Sequence, residues 1–270
     1  MAISNTDSLM MLRFSLLLLL IMPSTLLAAE DTLPQPVNAQ VVWVEPSPGH
    51  YQIMVSNLVG DEWADPISVY QNKNPLAGAV LISNFDGDSL LVWSEQSKTE
   101  LKLLASLKPV GAKYWQSPQV LSDLGKENTG ATAVVDLTGK FWVFWASNVS
   151  GMDDIYLAEI DSAGASSAPR RVHTENEVPD YYPSAELNQD GDIELTWKTF
   201  NLDIGDYVVA KSVFELDSSS KSSYKLPLSK DAEVNVSELP VANFLPVNAS
   251  SMLHIPRNRL VQVVRLGMTN

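Results

Sequence analysis

Short runs in which apolar and polar residues alternate, each bounded by turn-forming residues, fill the chain from about residue 38 onward, and this period of two predicts β-strands. The runs recur as a unit. Asn84-Phe-Asp-Gly-Asp-Ser-Leu-Leu-Val-Trp-Ser94, Asp136-Leu-Thr-Gly-Lys-Phe-Trp-Val-Phe-Trp-Ala146 and Asn188-Gln-Asp-Gly-Asp-Ile-Glu-Leu-Thr-Trp-Lys198 align without gaps. Their glycines, Gly87, Gly139 and Gly191, stand 52 residues apart, and so do Trp93, Trp145 and Trp197. Trp43, 50 residues before Trp93, marks a truncated earlier copy.

Each copy predicts four strands. The first is apolar (76–82, 131–137, 183–188) and runs into a turn that holds the repeating glycine, the residue that supplies the positive φ of tight hairpins. The second ends on the tryptophan. The third covers 51–56, 100–106, 154–160 and 207–214, and a weaker fourth covers 67–70, 118–123, 170–174 and 224–228. Four strands per roughly 50 residues is the unit of a propeller blade, so the expected fold class is all-β, a β-propeller of four-stranded blades. The recurring tryptophans read as the buried centre of each blade rather than as a ligand platform.

A fifth copy is faint. Pro240-Val-Ala-Asn-Phe-Leu245 is like Pro183-Ser-Ala-Glu-Leu-Asn188, and 252–255 and 260–264 suit two further strands, but this copy has neither tryptophan nor glycine turn. Copy one lacks its first strand and copy five its last. Five blades are expected, with the C-terminal strands joining the 38–45 region to close the ring. A ring left open, or completed by a second chain, is the alternative, and the oligomeric state is left undecided.

The first 29 residues read differently. Arg13 precedes an apolar run at 14–22, then come Pro23 and the small pair Ala28-Ala29, the layout of a secretory signal peptide. The run is shorter than the ~20 residues a spanning helix needs. The expected organisation is a signal peptide over 1–29 and a single propeller domain over 30–270, released from the membrane after cleavage and periplasmic or secreted. The chain has no cysteine, so its core must hold it without disulfides, which favours a bacterial periplasm over a eukaryotic secretory route. Asn-x-Ser sites at Asn148, Asn235 and Asn248 would matter only in the latter. A net charge of −14 argues against nucleic acid or an anionic membrane surface as a partner.

The blades resemble the Asp-box (bacterial neuraminidase repeat) propellers of the sialidase-like superfamily, whose box reads Ser-x-Asp-x-Gly-x-x-Trp between third and fourth strands. Ser56-Asn-Leu-Val-Gly-Asp-Glu-Trp63 keeps serine, glycine and tryptophan, with Leu58 at the aspartate position. Ser106, Gly111 and Trp115 keep the same types at stretched spacing, and Asp161-Ser-Ala-Gly164 keeps a fragment. The resemblance covers roughly residues 40–215 and implies the fold, which hosts many activities. It also implies what is missing. Sialidases of this superfamily grip a carboxylate with three arginines, whereas the arginines after residue 29 are Arg170, Arg171, Arg257, Arg259 and Arg265, paired or clustered rather than spread over the blades. No catalytic residue of that family carries over.

Carboxylates supply the remaining candidates. Asp136 and Glu186, on or beside first strands, suit the two channel-facing acids of a propeller glycosidase. The Asp-Gly-Asp pairs (Asp86, Asp88, Asp190, Asp192) suit hairpin turns. The richest connection is His173–Pro183, with Glu175, Glu177, Asp180, Tyr181 and Tyr182. Asn148, Asp153, Asn201, Asp203 and Asp206 come from neighbouring loops, and tyrosines beside carboxylates are suited to a sugar or a peptide. No cofactor or metal is expected; calcium is the alternative such oxygens offer, with Asp203 and Asp206 as candidate ligands, but the spacing of a recognised calcium loop is absent. His50, His173 and His254 are scattered and have no cysteine nearby, which speaks against zinc. The leading expectation is an exported, non-catalytic propeller that binds a glycan or a protein through the loops joining its blades. The alternatives are a glycoside hydrolase and a structural subunit.

Overall fold

The 52-residue repeat is a sheet. The computed structural model describes residues 37–59, 62–216, 251–257 and 260–266, the last two as backbone strands. Sheet one contains β1 (Val37–Ser47), β2 (His50–Val59), the short β3 (Glu62–Trp63) and β4 (Ile67–Asn72). Sheet two is β5 (Leu76–Ser83), β6 (Ser89–Ser97), β7 (Glu100–Lys108) and β8 (Gln119–Ser122). Sheet three is β9 (Asn128–Val135), β10 (Phe141–Asn148), β11 (Asp153–Ile160) and β12 (Arg170–Arg171). Sheet four holds β13 (Asp180–Leu187), β14 (Ile193–Asn201) and β15 (Asp206–Phe214). All pairings between these strands are antiparallel, and all are sequential except that β4 pairs with β2 past the short β3; no residue among those described is helical. β5 touches β9 and β9 touches β13, so the first strands of successive sheets stand side by side, as the inner strands of a β-propeller do.

Sheet one takes its first strand from the other end of the chain. β16 (Ser251–Arg257) pairs with β1 in the register Gln40↔His254, Val41↔Leu253, Val42↔Met252, and β17 (Leu260–Leu266) pairs with β16. β16 also touches β5, in the place a first strand would occupy. The expected joining of C-terminal strands to the 38–45 region is therefore what the chain does. The fourth strand expected at 224–228, and the start of the fifth copy, lie outside the described residues.

β10, and β6 over most of its length, are buried on both faces because a neighbouring sheet covers each. Residues 141–146 are all buried, and their alternation splits them: Phe141, Val143 and Trp145 join the core shared by sheets one to three. Trp142, Phe144 and Ala146 meet Ile193, Leu195 and Trp197 of sheet four. Trp43, Trp93, Trp145 and Trp197 are at most 8% exposed, so they are core, as their spacing implied.

The repeating turn is set by its first residue as much as by its glycine. The Oδ1 of Asn84, Asp136 and Asn188 accepts the N–H groups two and four residues on, at 2.8–3.1 Å, and closes the loop across the glycine. The second aspartates of the Asp-Gly-Asp turns brace the next hairpin: Asp88 accepts from Val110 N–H and Asp192 from Leu216 N–H, each at 2.8 Å. The two box-like serines also act alike. The hydroxyls of Ser56 and Ser106 donate to the carbonyls of Ala64 and Gln116, the residues following Trp63 and Trp115, at 2.6 and 2.7 Å. This closure uses no aspartate, consistent with Leu58 at the box position.

A buried indole N–H needs an acceptor. Trp145 Nε1 donates to Asn128 Oδ1 at 3.1 Å, and Asn128 further accepts from Ser122 and donates to the Leu101 and Leu124 carbonyls. One repeat earlier the equivalent residue is Leu76, and Trp93 Nε1 has no partner. Replacing Asn128 with leucine copies that state but removes four hydrogen bonds at once, so Asn128→Leu is expected to cost about 2–4 kcal/mol in urea unfolding.

Candidate functional site

In an antiparallel meander the links between blades and the second-to-third-strand hairpins emerge on one face, and the first-to-second-strand turns on the other. This places most of the candidates from the sequence together. Asn148 and Asp153 are register partners at the tip of β10–β11, Asn201 and Asp206 at the tip of β14–β15, with Asp203 between them. The link carrying Glu175, Glu177, Asp180, Tyr181 and Tyr182 lies on the same face. Asp136 does not. It sits in the β9–β10 turn, 3% exposed, with Oδ1 accepting from Thr138 and Lys140 and Oδ2 from Trp142 Nε1 at 2.9 Å. Its carboxylate is a turn cap already fully engaged. Glu186 is exposed on β13, opposite Glu194.

Beneath the link lies a buried polar cluster. Trp197 donates its Nε1 to Asp180 Oδ1 at 3.1 Å, repeating the bond of Trp145 to Asn128 one sheet later, here with a charged acceptor. Asp180 is wholly buried, and its Oδ2 accepts from Asn176 Nδ2 at 3.0 Å and lies 3.1 Å from His173 Nε2. Burial alone would raise the Asp180 carboxyl, but the close approach of His173 and the bonds from Thr199 and Asn176 hold it below the usual range. The His173 ring stacks on Trp197, with centroids 5.4 Å apart and planes 11° apart. Its Nδ1 lies 2.8 Å from the Thr174 carbonyl, which can only accept, so Nδ1 carries a proton. Across from it, Asp154 on β11 is also wholly buried, and burial holds its carboxyl above the usual range against the pull of Arg171 and His173. Arg171 reaches Asp154 Oδ2 at 3.3 Å, Glu175 at 3.1 Å and the Tyr156 hydroxyl at 3.4 Å.

Above this cluster the surface is aromatic. Tyr181 packs against Tyr182 and Tyr207, with centroids 6.1 and 6.2 Å apart, and Phe200 meets Tyr207 edge-on at 5.3 Å. Burial and a bond to Asp153 push the Tyr181 phenol up to about 12, so it remains a donor at neutral pH. Lys198 Nζ stands 5.8 Å from the Tyr182 ring centroid. Tyr182 is 64% exposed and has φ +55°, a left-handed conformation costly for a bulky side chain. The repeat shows why the backbone adopts it. Residues 52 and 104 positions earlier are Gly130 (φ +62°) and Gly78 (φ +60°), at the same first-strand bulge in sheets three and two. Sheet four keeps the bulge and carries a tyrosine where glycine fits without strain.

The remaining candidates take simple positions. Glu177 is exposed. Asn201 Oδ1 accepts from Asp203 and Ile204 N–H and shapes its own turn, while Asp203 and Asp206 are exposed. Among the described residues these two aspartates do not gather with a third metal donor; Asp154, His173 and Asp180 do. Sequence reasoning missed Asp154, Arg171, Asn176 and Trp197 as members of the cluster. The signal was available in the repeat register, where Leu76 and Asn128 give way to Asp180, and Gly78 and Gly130 to Tyr182. A separate cleft of about 420 Å³, lined by Tyr70, Trp93, Lys113, Tyr114, Trp115 and Gln116, lies along sheets one and two.

No family model matches the chain, and no curated protein does. Among solved structures, a thermostable family-43 glycoside hydrolase is 13% identical over 89% of this chain and 93% of its own, with a TM-score of 0.43. An endo-arabinase from Bacteroides thetaiotaomicron is 11% identical over 88% and 95%, with a TM-score of 0.42. The NanB sialidase from Streptococcus pneumoniae is 10% identical over 68% of this chain but only 30% of its own length, with a TM-score of 0.43. Likeness at this level says nothing of activity.

The cluster makes a stability prediction. Removing the guanidinium leaves the Asp154 carboxylate buried without its main countercharge. Arg171→Leu is expected to lower stability by about 3 kcal/mol, and Asp154→Asn in the same chain to restore part of that loss, as measured by a double-mutant cycle in urea.

Proposed function

We propose that this chain is an exported β-propeller that binds a glycan, without cleaving it, on the aromatic surface over the link between sheets three and four. One observation carries this reading: the strained, exposed Tyr182 at a position where the other two repeats have glycine. Local strain of this kind persists where the surroundings impose it and is concentrated at functional positions. Displaying the ring is what tyrosine adds there. The apolar C–H face of a sugar stacks on an aromatic ring, and its hydroxyls find the polar rim of Lys198, Asn201 and Asp206. The expected destination outside the cytoplasm, which follows from the leader at 1–29, puts such a surface where glycans are met.

Binding is favoured over hydrolysis by the state of the acids. Asp154 and Asp180 are held within 4.8 Å of one another, but both have zero exposure, so a sugar bond does not reach them. Asp136 is committed to its turn.

The test is a thermal-shift screen of the purified protein against oligosaccharide classes, followed by calorimetry with the glycan that raises the melting temperature. Tyr182→Gly is expected to keep stability within about 1 kcal/mol of the parent, since relief of strain offsets the flexibility of glycine. It is expected to weaken glycan binding at least tenfold. Tyr114→Ala, in the separate cleft, is expected to leave binding unchanged. No shift with any glycan, or full affinity in Tyr182→Gly, rules out this surface.

A further inference from the structure

The three donors beneath the link are arranged for something the structure's own hydrogen bonds do not supply. Asp154 is wholly buried; its Oδ1 has no partner, and its Oδ2 is approached only by Arg171 at 3.3 Å, without a formed hydrogen bond. His173 Nε2 is buried as well. It comes within 3.1 Å of Asp180 Oδ2 without a formed hydrogen bond. One oxygen of each carboxylate and the ring nitrogen all lie within 4.8 Å of one another. Buried polar atoms are met in nearly every native structure, so the unmet Asp154 oxygens and His173 Nε2, gathered beside the Asp180 carboxylate, call for an occupant.

We propose that Asp154, His173 and Asp180 bind a single divalent transition-metal ion of the zinc class. The donor chemistry selects it. Calcium takes six to eight oxygens, whereas this site offers two carboxylates and an imidazole, a set that suits zinc and its neighbours. Ligands about 2.0–2.1 Å from a tetrahedral ion stand roughly 3.4 Å apart, close to the observed 3.1 Å between His173 Nε2 and Asp180 Oδ2. The surroundings already serve as the support a ligating histidine requires. The Nδ1–H group donates to the Thr174 carbonyl and fixes the tautomer that leaves Nε2 free, and the ring is held flat on Trp197. Asp180 is held by Trp197 Nε1 and Asn176, and Asp154 by Arg171. With His173 neutral, two buried carboxylates face one guanidinium that is shared with Glu175, so a bound cation takes the place of the imidazolium proton in balancing the charge. The ion would tie β11 of sheet three to the link and to β13 of sheet four. Its role is structural, since no ligand atom is exposed enough to meet a substrate.

The experiment strips the full chain with a chelator, then titrates zinc by calorimetry and cobalt(II) by visible absorption. One ion per chain is expected, with the intense d–d bands of a four- or five-coordinate site. Asp154→Asn and His173→Gln are each expected to weaken zinc binding at least about 100-fold. Asp203→Asn is expected to change nothing. The weak spectrum of octahedral, all-oxygen cobalt in the parent protein would overturn the proposal without recourse to any variant. So would a failure of the parent to bind zinc, or unchanged affinity in both ligand variants. The proposal stands apart from the glycan reading: Tyr182→Gly is expected to bind zinc as the parent does, so either can fail alone.

Discussion

Each blade of this propeller is built around an indole that has been taken out of water, and the single N–H of that indole decides much of what surrounds it. Sheet two leaves the N–H of Trp93 unmet and fills the facing position with Leu76. Sheet three meets it with a neutral amide, Asn128, which in return ties together a serine and two carbonyls. Sheet four meets it with Asp180, and a carboxylate brings obligations an amide does not. Its second oxygen must also be satisfied, and so Asn176 bonds to it from the preceding link, with His173 Nε2 drawn to within 3.1 Å. The candidate site thus grows out of a packing requirement common to all the blades, met in one of them with a charge.

Strain on the surface has the same origin. The bulge that opens each first strand needs a left-handed residue, and two repeats supply glycine. In the third, Tyr182 occupies the bulge, flanked by buried Pro183 and two residues from the wholly buried Asp180. The buried cluster and the exposed aromatics therefore belong to one unit: the rigidity below keeps the unfavourable conformation in place above.

The architecture was legible because it rests on short-range pattern and repetition. Period-two runs, turn glycines and the 52-residue spacing of tryptophans marked the strands and the four-stranded blades, since each of these is written several times over, and the strand missing from the first copy pointed to the joining of chain ends. What could not be read was which carboxylate points where. Asp136 looked like a channel acid because it follows an apolar strand; its engagement with Lys140, Thr138 and Trp142 is a matter of turn geometry that composition does not reveal. His173 looked isolated because its partners, Asp154 and Asp180, belong to different sheets and come together only when sheets three and four pack. Asp203 and Asp206 looked paired because they are close in sequence, yet proximity along an exposed turn does not make their side chains converge.

The sheet assembled from both chain ends also sets an order of events. Sheets two, three and four use neighbouring segments and can form as each hairpin is completed. Sheet one has to wait for the strand supplied by residues 251–257, some 200 residues after its partner β1 has been made. Until then β1 presents an unpaired edge of main-chain donors and acceptors, open to any extended segment that reaches it first. The propeller is thus locked last and from its own end, and a chain cut short before residue 251 would carry three ordered sheets beside one permanently adhesive edge.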